Sequence, residues 1–114
     1  QPSLFAGKVH ALLCRKWKDR VKGRDFFDYV WYLSKGVELN LPHLETRMRQ
    51  SGHWGAEALT GPLLRGLLAD RFASVDYAQA KADAAPFLKD TRPLEPWCAD
   101  FFISITRDNL RLPQ

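Results

Sequence analysis

No stretch of roughly 18 consecutive apolar residues occurs among these 114 residues, so no membrane-spanning helix is expected. Cysteine is scarce. Cys14 and Cys98 stand far apart, neither in a CxxC pair, which is too few for a disulfide framework and suits reduced thiols in a cytoplasmic protein. The opening residues, QPSLFAGK, lack a signal-peptide pattern and an initiating Met. A chain that starts this abruptly before its first helix reads as a fragment of something longer; the alternative is a processed or trimmed complete protein. The G-x-S-x-G elbow, the P-loop, GxGxxG and H-E-x-x-H are all missing, which removes four common signatures of catalysis and cofactor binding. No repeat, low-complexity segment or strand pattern is evident.

Acidic residues are nearly absent from the first 24 positions. Lys8, Arg15, Lys16, Lys18, Arg20, Lys22 and Arg24 face only Asp19, a net of +6, while the whole chain carries +4. A basic end on a slightly acidic body suggests an anionic partner such as phosphate or nucleic acid; the plainer reading is a solvated helix face. Fourteen aromatics and 46% apolar residues rule out a disordered chain and suffice for one core.

Apolar residues recur at helical spacing through most of the chain, which predicts an all-α fold of five or six helices in one bundle. The first helix is expected over about Leu4 to Arg20, with Ser3 as N-cap and an apolar stripe of Phe5, Val9, Leu12, Leu13 and Trp17. Val21-Lys22-Gly23 reads as a turn in which Gly23 takes a positive φ. A second helix follows from Arg24 to Lys35, ended by Gly36, with Phe26, Phe27, Val30, Trp31 and Leu33 inward and Asp25, Asp28, Tyr29 and Tyr32 opposite. Further helices are expected at about Pro42–Gln50, Pro62–Phe72, a short Ala-rich stretch capped by Ser74 or Asp76 and stopped near Pro86, and Leu94–Leu110. Gly66 inside the fourth suggests a close helix contact.

The N-terminal hairpin concentrates the candidate chemistry. Asp25 and Asp28 are three residues apart, so their carboxylates share a helix face and complement the helix dipole. With a turn centred near residue 21.5, Arg15 falls opposite Asp28 and Lys18 opposite Asp25. Lys8, two turns before Arg15 and beside small Ala11, is then left free, either as a plain surface lysine or as a phosphate ligand. Two carboxylates alone are a weak magnesium signal, since helix-opening acids commonly serve as caps. His10 and Cys14, at i and i+4, are half of a zinc site with no other half in sequence, and His43 and His53 look isolated, so no metal ligand is expected.

The segment LFAGKVHALLCRKWKDRVKGRDFFDYVWYL resembles the C-terminal half of the AbiEii/AbiGii toxin family of nucleotidyltransferases. The shared pattern is a Lys in an xKxxA helix, basic residues after it and an RDxxD start to the next helix, here Lys8, Ala11, Arg15, Arg24, Asp25 and Asp28. PLLRGLLADRFASVDYAQAKADAAPFLKD is similar to the family's helical tail. The resemblance implies a relative of DNA-polymerase-β-type nucleotidyltransferases from a bacterial toxin–antitoxin or phage-defence system, using an NTP and Mg²⁺ and in some members modifying tRNA. It implies that Lys8, with Arg15 and Arg24, contacts the nucleotide phosphates and that Asp25 or Asp28 is the site acid. It further implies an N-terminal catalytic domain and a cognate antitoxin as partners. The Gly-Ser and Asp-x-Asp elements that bind metal in the family are not in this chain, so the 114 residues alone are expected to be inactive. The competing expectation is a non-catalytic module binding nucleic acid or a partner protein through the basic helix, with Trp17 and Trp54 as stacking platforms if exposed. A third is a structural bundle that mediates oligomerisation.

Overall fold

The computed structural model describes residues 2–14, 22–55 and 57–112. They form six α-helices: α1 (Pro2–Cys14), α2 (Gly23–Ser34), α3 (Leu41–Gln50), α4 (Gly61–Ala73), α5 (Tyr77–Ala84) and α6 (Ala99–Asn109). Among the described residues the only strand-like contact is an isolated bridge between Glu38 and Arg111, so the fold is all-α, as its periodicity predicts. No helix among them is long and apolar enough to cross a membrane.

Helix boundaries follow local chemistry. Asn40, Thr60 and Asp76 cap α3, α4 and α5 by accepting from the backbone N–H of His43, Leu63 and Gln79. Gly36 ends α2 at φ 68° and Gly52 turns the chain after α3 at φ 80°, both in the left-handed region that suits glycine. Ala85–Phe87, around Pro86, tightens into a 3₁₀ turn after α5. The last helix differs from its expected span. Arg92–Leu94 is a separate 3₁₀ turn, and α6 starts only at Ala99, because Pro96 cannot continue a helical ladder and Cys98 is extended at φ −162°. Ser3 lies inside α1 and is not its N-cap.

The helices meet pairwise: α1 packs on α3 and α2, α2 on α5, and α4 on α6. Phe26, Phe72 and Phe102 form the centre of the core, with Tyr77 and Trp97 around them at ring separations of 5.1–6.2 Å. Tyr29 is fully buried and does not lie on an outer polar face; Trp31, expected inside, is 48% exposed. A tyrosine can take a core position when its hydroxyl finds a partner. Thr106 gives its hydroxyl proton to the Phe102 carbonyl (2.7 Å), so Tyr29 donates to Thr106 Oγ1 at 2.6 Å. Burial pushes the Tyr29 phenol well above its ordinary pKa. Arg65 binds α4 to the end of α6 through the carbonyls of Thr106 and Leu110, and Arg71 holds the Leu12 carbonyl of α1 at 2.8 Å.

Two glycines depart from their expected roles. Gly23 is not a positive-φ turn residue; it is the buried first residue of α2, pressed against α5. A Cβ placed there would lie 2.1 Å from the Ala80 carbonyl oxygen and 2.8 Å from the Ala84 nitrogen. Its own N–H donates to Asp83 Oδ2 at 2.6 Å, so α5 both seats and caps the start of α2. Gly66 has open space where a Cβ would project, and no close helix contact.

Candidate functional site

The start of α2 carries an Arg-Asp pair and a second Asp one turn on, and α1 brings Lys8 to them. Lys8 Nζ is 2.8 Å from Asp28 Oδ2 and 3.7 Å from Asp25 Oδ1. The three groups differ in access: the Asp25 side chain is 7% exposed, Asp28 30% and Lys8 36%. Asp25 is therefore an interior charge, whereas Asp28 and Lys8 keep an open side. The hydrogen bond to Asp28 raises the Lys8 pKa, helped by the charges of both carboxylates and opposed by partial burial and by Arg24.

This geometry corrects the expectation that Lys8 has no partner. That expectation placed Lys8 about 10 Å beyond the acids by assuming parallel-sided helices about a turn near residue 21.5. The helices instead meet with Lys8 level with the first turns of α2. The predicted partner of Asp28, Arg15, lies outside the described residues, as do Lys18 and Trp17.

Beside the ion pair is a cleft of about 300 Å³ lined by Arg24, Phe27, Asp28, Ala84, Phe87 and Leu88. Two of the predicted site residues, Arg24 and Asp28, line it directly; Lys8 adjoins it through Asp28. Phe87, carried by the 3₁₀ turn at Pro86, is 63% exposed, and the Arg24 guanidinium lies 4.9 Å from its ring centre. Sequence reasoning did not connect Phe87 with this site. An aromatic next to Pro86 was the available signal, but only the packing of α5 on α2 places it there. The cleft thus offers the Arg24 guanidinium for an anionic group, a carboxylate acceptor and an aromatic surface for a planar ring, with the Lys8 ammonium beside it.

A second group of chemically active side chains gathers elsewhere. His53 is not isolated: its ring, the His10 ring and the Cys14 thiol offer ligand atoms all within 4.8 Å of one another. Cys14 and His53 also line a cavity of about 360 Å³ with Met48, Trp54, Asp70 and Arg71. Trp54 is half-buried, packs on the core and donates its indole N–H to the Glu57 carbonyl at 2.7 Å.

Compared with models of protein families, the chain matches over residues 1–103 the one described as Nucleotidyl transferase AbiEii toxin, Type IV TA system. No curated protein and no solved structure matches it.

Proposed function

From the premise that the chain belongs to the AbiEii nucleotidyl transferase toxin family of type IV toxin–antitoxin systems, we propose that the Lys8–Asp28 corner and its cleft form one wall of a nucleotide site. Lys8 and Arg24 take the phosphates. Asp25, nearly buried, positions the Lys8 ammonium, and Asp28 is the acid exposed to the nucleotide. Phe27 and Phe87 supply the apolar surface on which a base rests. The observation that carries this reading is the Lys8 ammonium, 2.8 Å from Asp28 and still one-third exposed, at the edge of a cleft that Arg24 and Asp28 line. An ammonium has three donors, so one carboxylate bond leaves others for phosphate oxygens.

Magnesium does not fit these residues. It demands a near-octahedral oxygen shell at about 2.1 Å, and Lys8 already occupies the space between the two carboxylates. Among the described residues no three carboxylates cluster closely enough to replace them. No step through a metal therefore follows from these residues, and the metal-binding half of the site is assigned to a segment other than this chain. In the complete reaction an acceptor oxygen attacks the α-phosphorus of an NTP, the bond to the β-phosphate breaks and pyrophosphate leaves. The contribution of this wall is to bind and orient the phosphates, with an RNA such as tRNA as the acceptor and a cognate antitoxin as the controlling partner.

Calorimetric titration of the chain with ATP and with tripolyphosphate tests the reading. Lys8→Gln and Arg24→Gln should each weaken binding by roughly tenfold, the loss of one charge-assisted contact. Lys35→Gln, exposed at the far end of α2 from Arg24 and Asp28, should leave it unchanged. Equal affinity in all of these variants, or no binding by the parent, would refute the proposed roles. If binding falls with salt but does not respond to Lys8 or Arg24, the basic-helix nucleic-acid reading is favoured instead.

A further inference from the structure

We propose that His10, Cys14 and His53 form a zinc site, separate from the Lys8–Asp28 corner. His10 and Cys14 are one turn apart on α1, so their side chains project from the same face. His53 comes from the loop after α3, some 40 residues further along. Gly52, at φ 80°, reverses the chain there, and the His53 N–H closes onto the Met48 carbonyl at 2.8 Å. The packing of α1 on α3 then brings the three side chains together, with candidate ligand atoms no more than 4.8 Å apart.

The donor set suits zinc. Two imidazoles and a thiolate are its preferred ligands, and three protein ligands leave a fourth position for water or another donor. Bond lengths of about 2.1 Å to nitrogen and 2.3 Å to sulfur put neighbouring ligand atoms roughly 3.5 Å apart, so the site must contract by about 1 Å. Exposed His53, on its loop, is the member free to make that movement. Asp70, which is exposed, lines the same cavity as Cys14 and His53.

Ser51 Oγ lies 3.0 Å from His10 Nε2 and 2.8 Å from His53 Nδ1, a shared hydrogen-bond partner that holds the two imidazoles side by side. Zinc binding displaces the Cys14 thiol proton, releasing it to solvent as the Zn–S bond forms. Arg47 and Arg71 oppose a net positive site, and the thiolate neutralises one of the two zinc charges.

The test uses the chain freed of tags and metal, titrated with Zn²⁺ in competition with a chromophoric chelator, and Co²⁺ as a spectroscopic substitute. The expected result is one zinc per chain, weakened at least tenfold by His53→Ala and by Cys14→Ala, and unchanged by His43→Ala. A thiolate-to-cobalt charge-transfer band should appear in the parent and vanish in Cys14→Ala. Cys14 is half-buried, so its replacement disturbs packing; exposed His53 keeps the test decisive, with circular dichroism confirming the fold. Failure to saturate with zinc, or binding indifferent to His53→Ala, would overturn the proposal and leave His10 and His53 as a hydrogen-bonded pair around Ser51.

Discussion

Replacing Gly23 by alanine tests how α2 is seated on α5. The added Cβ would fall 2.1 Å from the Ala80 oxygen and 2.8 Å from the Ala84 nitrogen, both under the 3.0 Å limit that real Cβ contacts respect. Both atoms are backbone, so neither can rotate away as a side-chain end would. The two helices must separate by about 1 Å in an interior that is otherwise close-packed, and overpacking of that kind costs about 1–3 kcal/mol. Alanine recovers some of this, about 0.4–1 kcal/mol, by restricting the unfolded chain. A net loss of about 1.3 kcal/mol remains, which at roughly 4–8 °C per kcal/mol lowers Tm by about 5–10 °C. Gly66→Ala is the matched control. It lies within α4, meets nothing within 4 Å, and should gain about 0.5–1 kcal/mol from helix propensity alone. Thermal melts followed by far-UV circular dichroism, with urea titrations for free energies, measure both. If the two variants shift Tm in the same direction, the proposed contact between Gly23 and the α5 backbone is wrong.

Four further outcomes rest on other parts of the fold. Arg65→Ala removes hydrogen bonds to the Thr106 and Leu110 carbonyls and should cost about 2 kcal/mol in urea unfolding. Phe26→Ala, at the centre of the aromatic core, should cost about 3–5 kcal/mol, whereas Phe87→Ala, on an exposed ring, should cost less than about 1 kcal/mol while weakening ATP binding. The Glu45 carboxylate accepts from the Leu59 N–H at 2.6 Å and from Arg49 at 2.9 Å, which lowers its pKa, the Leu59 bond foremost. A depressed carboxylate pKa stabilises the fold above the unfolded value, about 4.3, and that contribution fades as pH falls through the folded value. Melting temperatures below about pH 4.3 should therefore fall less steeply for Glu45→Gln than for the parent.

Helix identity was legible residue by residue, because it depends on neighbours in sequence. The stripes and the Gly36 stop needed no distant partner to be recognised, and Asp76 was one of the two caps that local chemistry offered for α5. What misled was the inference from one helix to the next. The assumed turn centre left Lys8 stranded, while the packed helices give it to Asp25 and Asp28. Amphipathic reasoning sent Tyr29 outward, because the hydroxyl that makes tyrosine look polar is satisfied by Thr106, 77 residues away in sequence. His53 looked isolated for the same reason, since its neighbours His10 and Cys14 belong to another helix.

Sequence alone, then, determined the helical class, most of the element boundaries and the motif that marks the family, all of them set by interactions within a few residues. Only the tertiary structure decided which charges meet, which glycine is pressed against a neighbour, and that Phe87 completes the cleft beside Arg24 and Asp28. The physical reason is one of range. A helix is specified by bonds spanning three or four residues, whereas a site is specified by the register in which whole helices pack, and that register is settled by the shared core as a unit.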